Sequence, residues 1–219
     1  MKQKKFKKLI VSCDGGAASG KTTGAKLIAK KFKLKFLSSG MLYRYAGYLI
    51  LKNKPINKIK YLRSNFKKIN LNQLSKLNLN TQIISEYTSK IAKIKKVRNI
   101  LKRYQISFSK KNKKCIIEGR DISTEILPFA DVKFYFTCDL ENASKRRFKD
   151  LKKTNQKIKF SQVKKSIKMR NMRDKKRKHS PLLKHRDALE IHTGKLNKKS
   201  MIKKMSVYIE KILKNKYVN

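Results

Sequence analysis

Residues 6–23 read FKKLIVSCDGGAASGKTT and give the strongest structural signal in the chain. Residues 6–13 are largely apolar and partly β-branched, which predicts a buried strand. The segment Gly15–Thr22 satisfies the pattern G-x-x-x-x-G-K-[ST], and the apolar residues of 20–32 recur at helical spacing. A strand, a glycine-rich turn and a helix in this order predict a P-loop, in which successive backbone N–H groups point at phosphate oxygens.

Two side chains of this loop can take part in phosphate chemistry. Lys21 can reach the β- and γ-phosphates of a nucleoside triphosphate as a mobile point charge, and the Thr22 hydroxyl can ligate Mg²⁺. A plain glycine-rich turn is the alternative interpretation, but every motif position is present between a strand and a helix. A chain of 219 residues with the loop near its start suits a small phosphoryl transferase rather than a larger P-loop machine.

The chain is strongly basic, with a formal charge of +47 from 60 Lys+Arg against 13 Asp+Glu. Nucleic-acid binding is one interpretation, because phosphate contacts need cations. However, the lysines recur along the whole chain, which favours a basic composition spread over the surface. Arginine is much rarer and is concentrated between residues 146 and 186. Its planar fork can pair with phosphate or carboxylate in a way that lysine cannot copy.

Strand-like and helical segments alternate along the rest of the chain. This alternation predicts an α/β fold, a P-loop type parallel sheet of about five strands flanked by helices. Residues 53–88 have weak periodicity and could form an inserted subdomain, and 110–114 (KKNKK) is expected to be a solvated loop. The further strands are expected at 36–39, 115–121, 132–138 and 188–193, and the further helices at 41–52, 89–108, 140–151, 160–177 and 198–217.

The cysteines and the hydropathy indicate the compartment. Cys13, Cys115 and Cys138 lie far apart with no paired spacing, which argues against a disulfide framework and fits a cytoplasmic protein. No apolar run approaches the ~18 residues of a membrane span, so we expect no membrane partner.

Polar segments follow the second and third predicted strands. They are SSGMLYR at 38–44 and GRD at 119–121. Because ligands of open parallel sheets bind at the carboxyl ends of the strands, we expect these segments near the P-loop. The basic helix over 160–177 contains R-x-x-R-D-x-x-R, whose Arg170, Asp174 and Arg177 share a face.

Together these segments resemble the bacterial cytidylate kinases of the nucleoside monophosphate kinase family. The resemblance implies transfer of the γ-phosphoryl group of ATP to CMP or dCMP, with Mg²⁺. It also implies one kinase domain, with a core at 1–40, 106–145 and 185–219, a CMP-binding insertion at about 41–105 and a lid at about 146–180. The motifs that carry it are, in family order, IVSCDGGAASGKTT (10–23), SSGMLYR (38–44), the S-x₈-R pair Ser89 and Arg98, EGRD (118–121), R-x-x-x-D-x-x-R (170–177), SPL (180–182) and DALEIHT (187–193).

The resemblance also implies roles for individual residues. The ATP phosphates would be held by Gly15, Gly16, Ala17, Ala18, Ser19, Gly20, Lys21, Thr22 and Thr23. The catalytic cations would be Lys21, Arg146, Arg147 and Arg177, with Arg146 and Arg147 closing over the transferring phosphoryl group. The acceptor would be bound by Ser39, Arg44, Arg120 and Asp121, by Ser89 and Arg98 at cytosine, and by Arg170, Asp174 and Arg177 at the sugar, base or phosphate.

The chain departs from the family pattern at two positions. The family commonly has Asp where this chain has Ser38 and again where it has His192, and the stretch between Ser39 and Ser89 is shorter than the usual insertion. Two alternatives therefore stay open, another small P-loop kinase for UMP or a different acceptor, and a basic nucleic-acid-binding P-loop NTPase. The leading expectation is a monomer that uses ATP and CMP or dCMP and has no specific nucleic-acid partner.

Overall fold

The computed structural model describes residues 6–153 and 157–217, and its centre is a five-stranded parallel sheet. The strands are β1 (Leu9–Gly15), β2 (Lys35–Ser38), β3 (Lys114–Gly119), β4 (Val132–Thr137) and β5 (Leu189–His192). Their order across the sheet is β2-β3-β1-β4-β5. The α/β prediction is confirmed, and each predicted strand is found within a few residues of its expected place.

Helices account for most of the remaining chain, and five of them follow one another between β2 and β3. The helices are α1 (Lys21–Lys31), α2 (Ser39–Asn53), α3 (Lys58–Lys67), α4 (Leu71–Lys76), α5 (Gln82–Ile91), α6 (Lys95–Lys111), α7 (Leu140–Lys152), α8 (Phe160–Lys176) and α9 (Lys198–Tyr217). One turn of π-helix, Ile122–Ile126, follows β3. Among the described residues, none of the helices is long and apolar enough to cross a membrane.

Strand β1 occupies the middle of the sheet, and all seven of its residues are buried. It pairs in parallel with β3 on one side and with β4 on the other. The register sets Asp14 opposite Gly119 and Gly15 opposite Phe136. The carboxyl ends of the three central strands therefore lie at one edge, where the P-loop begins.

The described residues divide into two compact units. The first extends to Leu37 and resumes at Ser109, and it contains the sheet with α1, α7, α8 and α9. Its core packs α1 and α9 on the sheet through residues such as Ile28, Phe136 and Met205. The second unit is Ser38–Phe108, in which α2 packs against α3 and α5.

The segment 53–88, unreadable from periodicity, contains three helices that begin at polar caps. The Asn57 side chain accepts a hydrogen bond from the Lys60 amide at 2.9 Å, and Asn70 and Thr81 cap the next two helices in the same way. Asn and Thr at these positions satisfy N–H groups that have no partner within the helix. The asparagine-rich composition therefore supports helix starts as well as loops.

The prediction of one helix over 89–108 is wrong, because the chain turns between α5 and α6. In a continuous helix the Ala92 carbonyl would accept from the amide four residues later; here it accepts from the Arg98 side chain, at 3.2 Å. Ile94, which the periodicity assigned to the buried face, is 43% exposed. The expected loop at 110–114 is also mostly regular, since α6 continues to Lys111 and β3 begins at Lys114.

Gly24 in α1 offers a test of this packing. A Cβ at Gly24 would lie 2.8 Å from the ring of Phe136, a core residue with no room to move. Overpacking costs about 1–3 kcal/mol, against about 1 kcal/mol that alanine gains over glycine in a helix. We expect Gly24→Ala to lower the free energy of unfolding, measured by chemical denaturation.

Gly40 in α2 is the matched control, because the nearest atom to its Cβ would be the Ser38 hydroxyl at 3.7 Å. We expect Gly40→Ala to leave stability unchanged or to raise it. Equal effects of the two substitutions would contradict the packing of α1 described above.

Candidate active site

The P-loop connects β1 to α1, and two of its glycines are required by its geometry. A Cβ at Gly15 would stand 2.5 Å from the Phe136 carbonyl oxygen on the neighbouring strand. Gly20 has φ +82° and forms the N-cap of α1, so the N-cap residue has no side chain that could cap the first-turn N–H groups. These amides and the positive end of the helix dipole provide an anion-binding position.

Lys21 is buried at this position, with 7% of its surface exposed. Its ammonium donates to the Gly16 carbonyl at 3.0 Å and lies 4.0 Å from the Glu118 carboxylate. The pKa of Lys21 is lowered from 10.5 to about 7, mainly by burial and also by the nearby Arg120 and Arg170, while Glu118 and Asp174 oppose the shift. The surroundings of Lys21 therefore favour an added anion, which would stabilise the charged amine.

Asp14 is a buried carboxylate that the sequence analysis did not single out. Its two oxygens accept the Ile122 and Ser123 amides, each at 2.7 Å, and the Ser123 hydroxyl at 2.5 Å. Burial raises the pKa of Asp14 to about 6, although these hydrogen bonds favour the ionised form. Asp14 thus attaches the end of β1 to the turn that follows Arg120 and Asp121. The only signal in the sequence was its place directly before the loop.

Guanidinium and carboxylate groups form a cluster on the same unit. Arg120 donates through Nε to Asp174 at 2.9 Å. Arg177 lies 3.8 Å from Asp174 and 3.5 Å from Asp121, and it donates to the Ser180 carbonyl. Burial alone would raise the pKa of Asp174, but Arg120, Arg170 and Arg177 hold it below its usual range. The structure therefore brings together five of the residues that the sequence motifs assigned to the acceptor.

Arg146 and Arg147 of α7, which the resemblance assigns to a lid, occupy different surroundings. Arg146 donates to the Thr193 hydroxyl and to the Thr193 carbonyl, both at 2.8 Å. The Thr193 hydroxyl in turn donates to the P-loop carbonyl of Ser19 at 2.9 Å, so Arg146 is linked to the loop through one residue. For Arg147, burial lowers the pKa of the guanidinium. Thr193 ends the motif DALEIHT, but nothing in that motif predicted its contact with Arg146.

The second unit holds the other acceptor candidates. Ser39 is buried in the first turn of α2, Arg44 lies on the same helix, and Ser89 lies on α5. Arg98 on α6 is 6% exposed, and its guanidinium carbon lies 5.7 Å from the centre of the Tyr43 ring. With its hydrogen bond to the Ala92 carbonyl, this contact fixes the orientation of Arg98.

The two positions that depart from the family pattern both have local partners. The Ser38 hydroxyl caps α2 by accepting from the Met41 amide at 3.2 Å. His192 lies with Nδ1 2.8 Å from the Thr137 hydroxyl and Nε2 3.3 Å from Glu190. Ser38 and His192 therefore each contact neighbouring residues, and the structure accommodates them where the family commonly has aspartate.

Comparison with known proteins gives the family of the chain. The family model described as cytidylate kinase matches residues 11–211. The chain belongs to the cytidylate kinase family. A cytidylate kinase of Fusobacterium nucleatum is 37% identical over 215 residues, covering 93% of this chain and 98% of the relative. A cytidylate kinase of Rickettsia akari is 34% identical over 205 residues, covering 93% of each chain.

A solved structure supports the fold alone. An uncharacterized protein from Eubacterium ventriosum superposes with a TM-score of 0.52 at 15% identity, covering 92% of this chain and 98% of that one.

The family match confirms the resemblance inferred from the motifs. The chain is a nucleoside monophosphate kinase, a phosphotransferase with ATP as co-substrate.

The lowered pKa of Lys21 predicts a pH dependence of stability. Between about pH 7 and pH 10 the unfolded chain keeps a proton on Lys21 that the folded chain has lost, so the free energy of unfolding rises with pH. The rise is at most about 1.4 kcal/mol per pH unit for one proton. We expect the unfolding free energy of the wild type minus that of Lys21→Met to increase from pH 6.5 to pH 9, because only the wild type has the titrating amine. A difference that is independent of pH would mean that Lys21 titrates as an exposed lysine does.

Proposed function

We propose that the protein transfers the γ-phosphoryl group of ATP to CMP or dCMP, giving ADP and CDP or dCDP. The observation that carries this proposal is the buried ammonium of Lys21 at the P-loop, surrounded by Arg120, Arg170 and Asp174 in the same unit. A cation-rich position at the N-terminus of a helix fits a polyphosphate, and the family gives the acceptor.

On the donor side, we propose that the segment Gly15–Thr23 holds the ATP phosphates. The turn into α1 gives the loop its direction, and Lys21 already lies against the Gly16 carbonyl, within the curve of the loop. An incoming phosphate would replace this carbonyl as the partner of the ammonium. With phosphate bound, Lys21 would then stay charged even at a pH where its amine loses the proton in the protein without nucleotide.

Mg²⁺ fits the residues present, as an ion bound mainly through the nucleotide. Thr22 is exposed in the first turn of α1, beside the loop. Among residues 6–153 and 157–217, no group of three or more His, Cys, Asp or Glu side chains could hold a metal ion alone. Mg²⁺ commonly keeps several waters and binds substrate phosphates with few protein ligands. We propose that Thr22 is such a ligand and that the ion neutralises charge on the phosphates.

The reaction needs cations in position rather than a covalent step. The transferring phosphoryl group carries negative charge on its equatorial oxygens, and positioned guanidinium groups stabilise it. We propose this role for Arg146, Arg147 and Arg177 as well as Lys21. The hydrogen bonds of Arg146 to Thr193 support it, since they hold that guanidinium in one orientation beside Gly20.

Cytosine has acceptors at O2 and N3 and a donor at N4, whereas uracil reverses the pattern at N3 and position 4. We propose that Arg98 and Ser89 bind the acceptors, with Ser39 and Arg44 at the same acceptor nucleotide. Arg120, Asp121, Arg170, Asp174 and Arg177 are proposed to contact its sugar, base or phosphate. A site with buried donors rejects an analogue that leaves them unpaired.

The remaining proposals concern organisation and setting. We propose that 41–105 is the CMP-binding insertion and 146–180 the lid of one kinase domain. We also propose that the protein acts as a monomer in the cytoplasm, in pyrimidine nucleotide metabolism. The three cysteines support a reducing compartment, because none of them forms a disulfide.

Steady-state turnover with ATP, Mg²⁺ and each of CMP, dCMP, UMP and AMP tests the proposal. We expect CMP or dCMP to be preferred. Phosphorylation of UMP or AMP without CMP would overturn the assignment of the acceptor. ATP hydrolysis stimulated by RNA or DNA, with binding that survives physiological salt, would favour the nucleic-acid-binding alternative that the +47 charge raises.

Lys21→Ala tests the donor side. We expect turnover to fall by at least about 10²-fold, because a positioned charge is lost where negative charge develops. Lys30→Ala, at an exposed position of the same helix, is the control and is expected to keep wild-type turnover. Near-normal activity of Lys21→Ala with a normal melting temperature would contradict the proposed mechanism.

Arg98→Met tests the acceptor side. We expect KM for CMP to rise by about tenfold, because a hydrogen bond from a charged donor is lost. KM for ATP should change little. Arg103→Met, an exposed arginine on the same helix, controls for the loss of one positive charge. Equal rises in KM for both substrates would remove Arg98 from the acceptor site.

A further inference from the structure

One contact of the P-loop comes from a residue that the motifs leave unassigned. The Ala17 amide donates to Oδ1 of Asn171 at 2.8 Å, across 154 positions of sequence. The Asn171 carboxamide also lies against Gly16, where a Cβ would stand 3.1 Å from Oδ1 and 3.3 Å from Nδ2. Any larger residue at Gly16 would crowd the Asn171 carboxamide, so glycine at this position leaves room for the hydrogen bond to Ala17.

Ala17 also shares an apolar cluster with residues of α8. Ala17 belongs to a small apolar cluster with Ala143, Val163 and Ile167. Ile167 and Asn171 are four residues apart, so they lie on the same face of α8, one turn from each other. The Ala17 amide is therefore bonded to the same face of α8 that contributes Ile167 to this cluster.

Helix α8 also carries the charged residues proposed to bind the acceptor. Arg170 and Asp174 flank Asn171, and both act on the pKa of Lys21. Asp174 is hydrogen-bonded to Arg120 at the end of β3. The spacing between the loop and these charged groups consequently depends on how α8 attaches to the loop, and the Asn171 hydrogen bond is the polar part of that attachment.

We propose that Asn171 is a positioning residue for phosphoryl transfer, which aligns the P-loop with the charged residues of α8 through the Ala17 amide. The inference rests on the proposed function, since it assigns Arg170 and Asp174 to the acceptor. Asn171 acts through Ala17 and contacts no reacting atom. Its loss displaces the cations relative to the phosphates, which lowers kcat more than it weakens the binding of either substrate.

The test compares Asn171→Leu, which has a similar volume but no acceptor, with Asn171→Asp, which keeps an oxygen for the Ala17 amide. Asn65→Leu is the matched control, because the Asn65 carboxamide donates to the Tyr61 carbonyl one turn away on its own helix, α3. Each variant is assayed for kcat and for both KM values, and the Ala17 amide is followed by its ¹⁵N–¹H resonance.

We expect Asn171→Leu to lower kcat by about tenfold to a hundredfold, the range expected for a misplacement near 1 Å, while both KM values change by less than about threefold. The Ala17 amide proton should move upfield. Asn171→Asp should restore both kcat and the resonance, and Asn65→Leu should change neither.

A near wild-type kcat in Asn171→Leu with a shifted Ala17 resonance would overturn the proposal, as would equal loss of kcat in Asn171→Leu and Asn171→Asp. The assay uses whichever monophosphate the wild type phosphorylates. A failure of the CMP assignment is therefore seen in the wild type and leaves the test of Asn171 in force.

Discussion

The arrangement of this protein depends on keeping one ammonium group buried among other cations. Lys21 lies at the carboxyl end of the central strand, where Arg120 and Arg170 act against its charge and Glu118 and Asp174 only partly offset them. In water these groups would separate. The fold holds them together because each is attached to a rigid element. A bound polyphosphate would offset the repulsion between Lys21 and the two arginines.

The attachments come from different parts of the chain. Asp14 fixes the turn after β3 to the end of β1 with three accepted hydrogen bonds. Thr193, after β5, binds both the loop carbonyl of Ser19 and the guanidinium of Arg146. Asn171 binds the Ala17 amide from α8. Thr193 and Asn171 thus bind the loop itself, and Asp14 holds the strand that leads into it, so these hydrogen bonds limit how far the loop can move.

The sequence allowed the prediction of features that depend on local order. The strand, glycine-rich turn and helix around Lys21 are such a feature, and so is the alternation that gives the parallel sheet. The break between α5 and α6 could not be predicted, because it depends on Arg98 reaching back to the Ala92 carbonyl while the apolar spacing continues through Ile94. Helical periodicity describes which residues could share a face, not whether the backbone is continuous.

The partners of the loop were beyond prediction for a related reason. Asp14 and Ile122 are 108 positions apart, and Ala17 and Asn171 are 154 apart, so no spacing rule connects them. Motifs identified the residues that carry charge, such as Arg120 and Asp174. The neutral residues that bind the loop, Thr193 and Asn171, have no signature of their own and were found only from the contacts.

Proton uptake on ATP binding would show whether Lys21 is held with a lowered pKa and regains its charge beside phosphate. At about pH 8 Lys21 should be mostly neutral in the protein without nucleotide, and bound phosphates should return its charge. Calorimetric titration of ATP in two buffers of different ionisation enthalpy should therefore show uptake approaching one proton in the wild type and none in Lys21→Met. ATP binding without proton uptake, or with equal uptake in both proteins, would contradict the account.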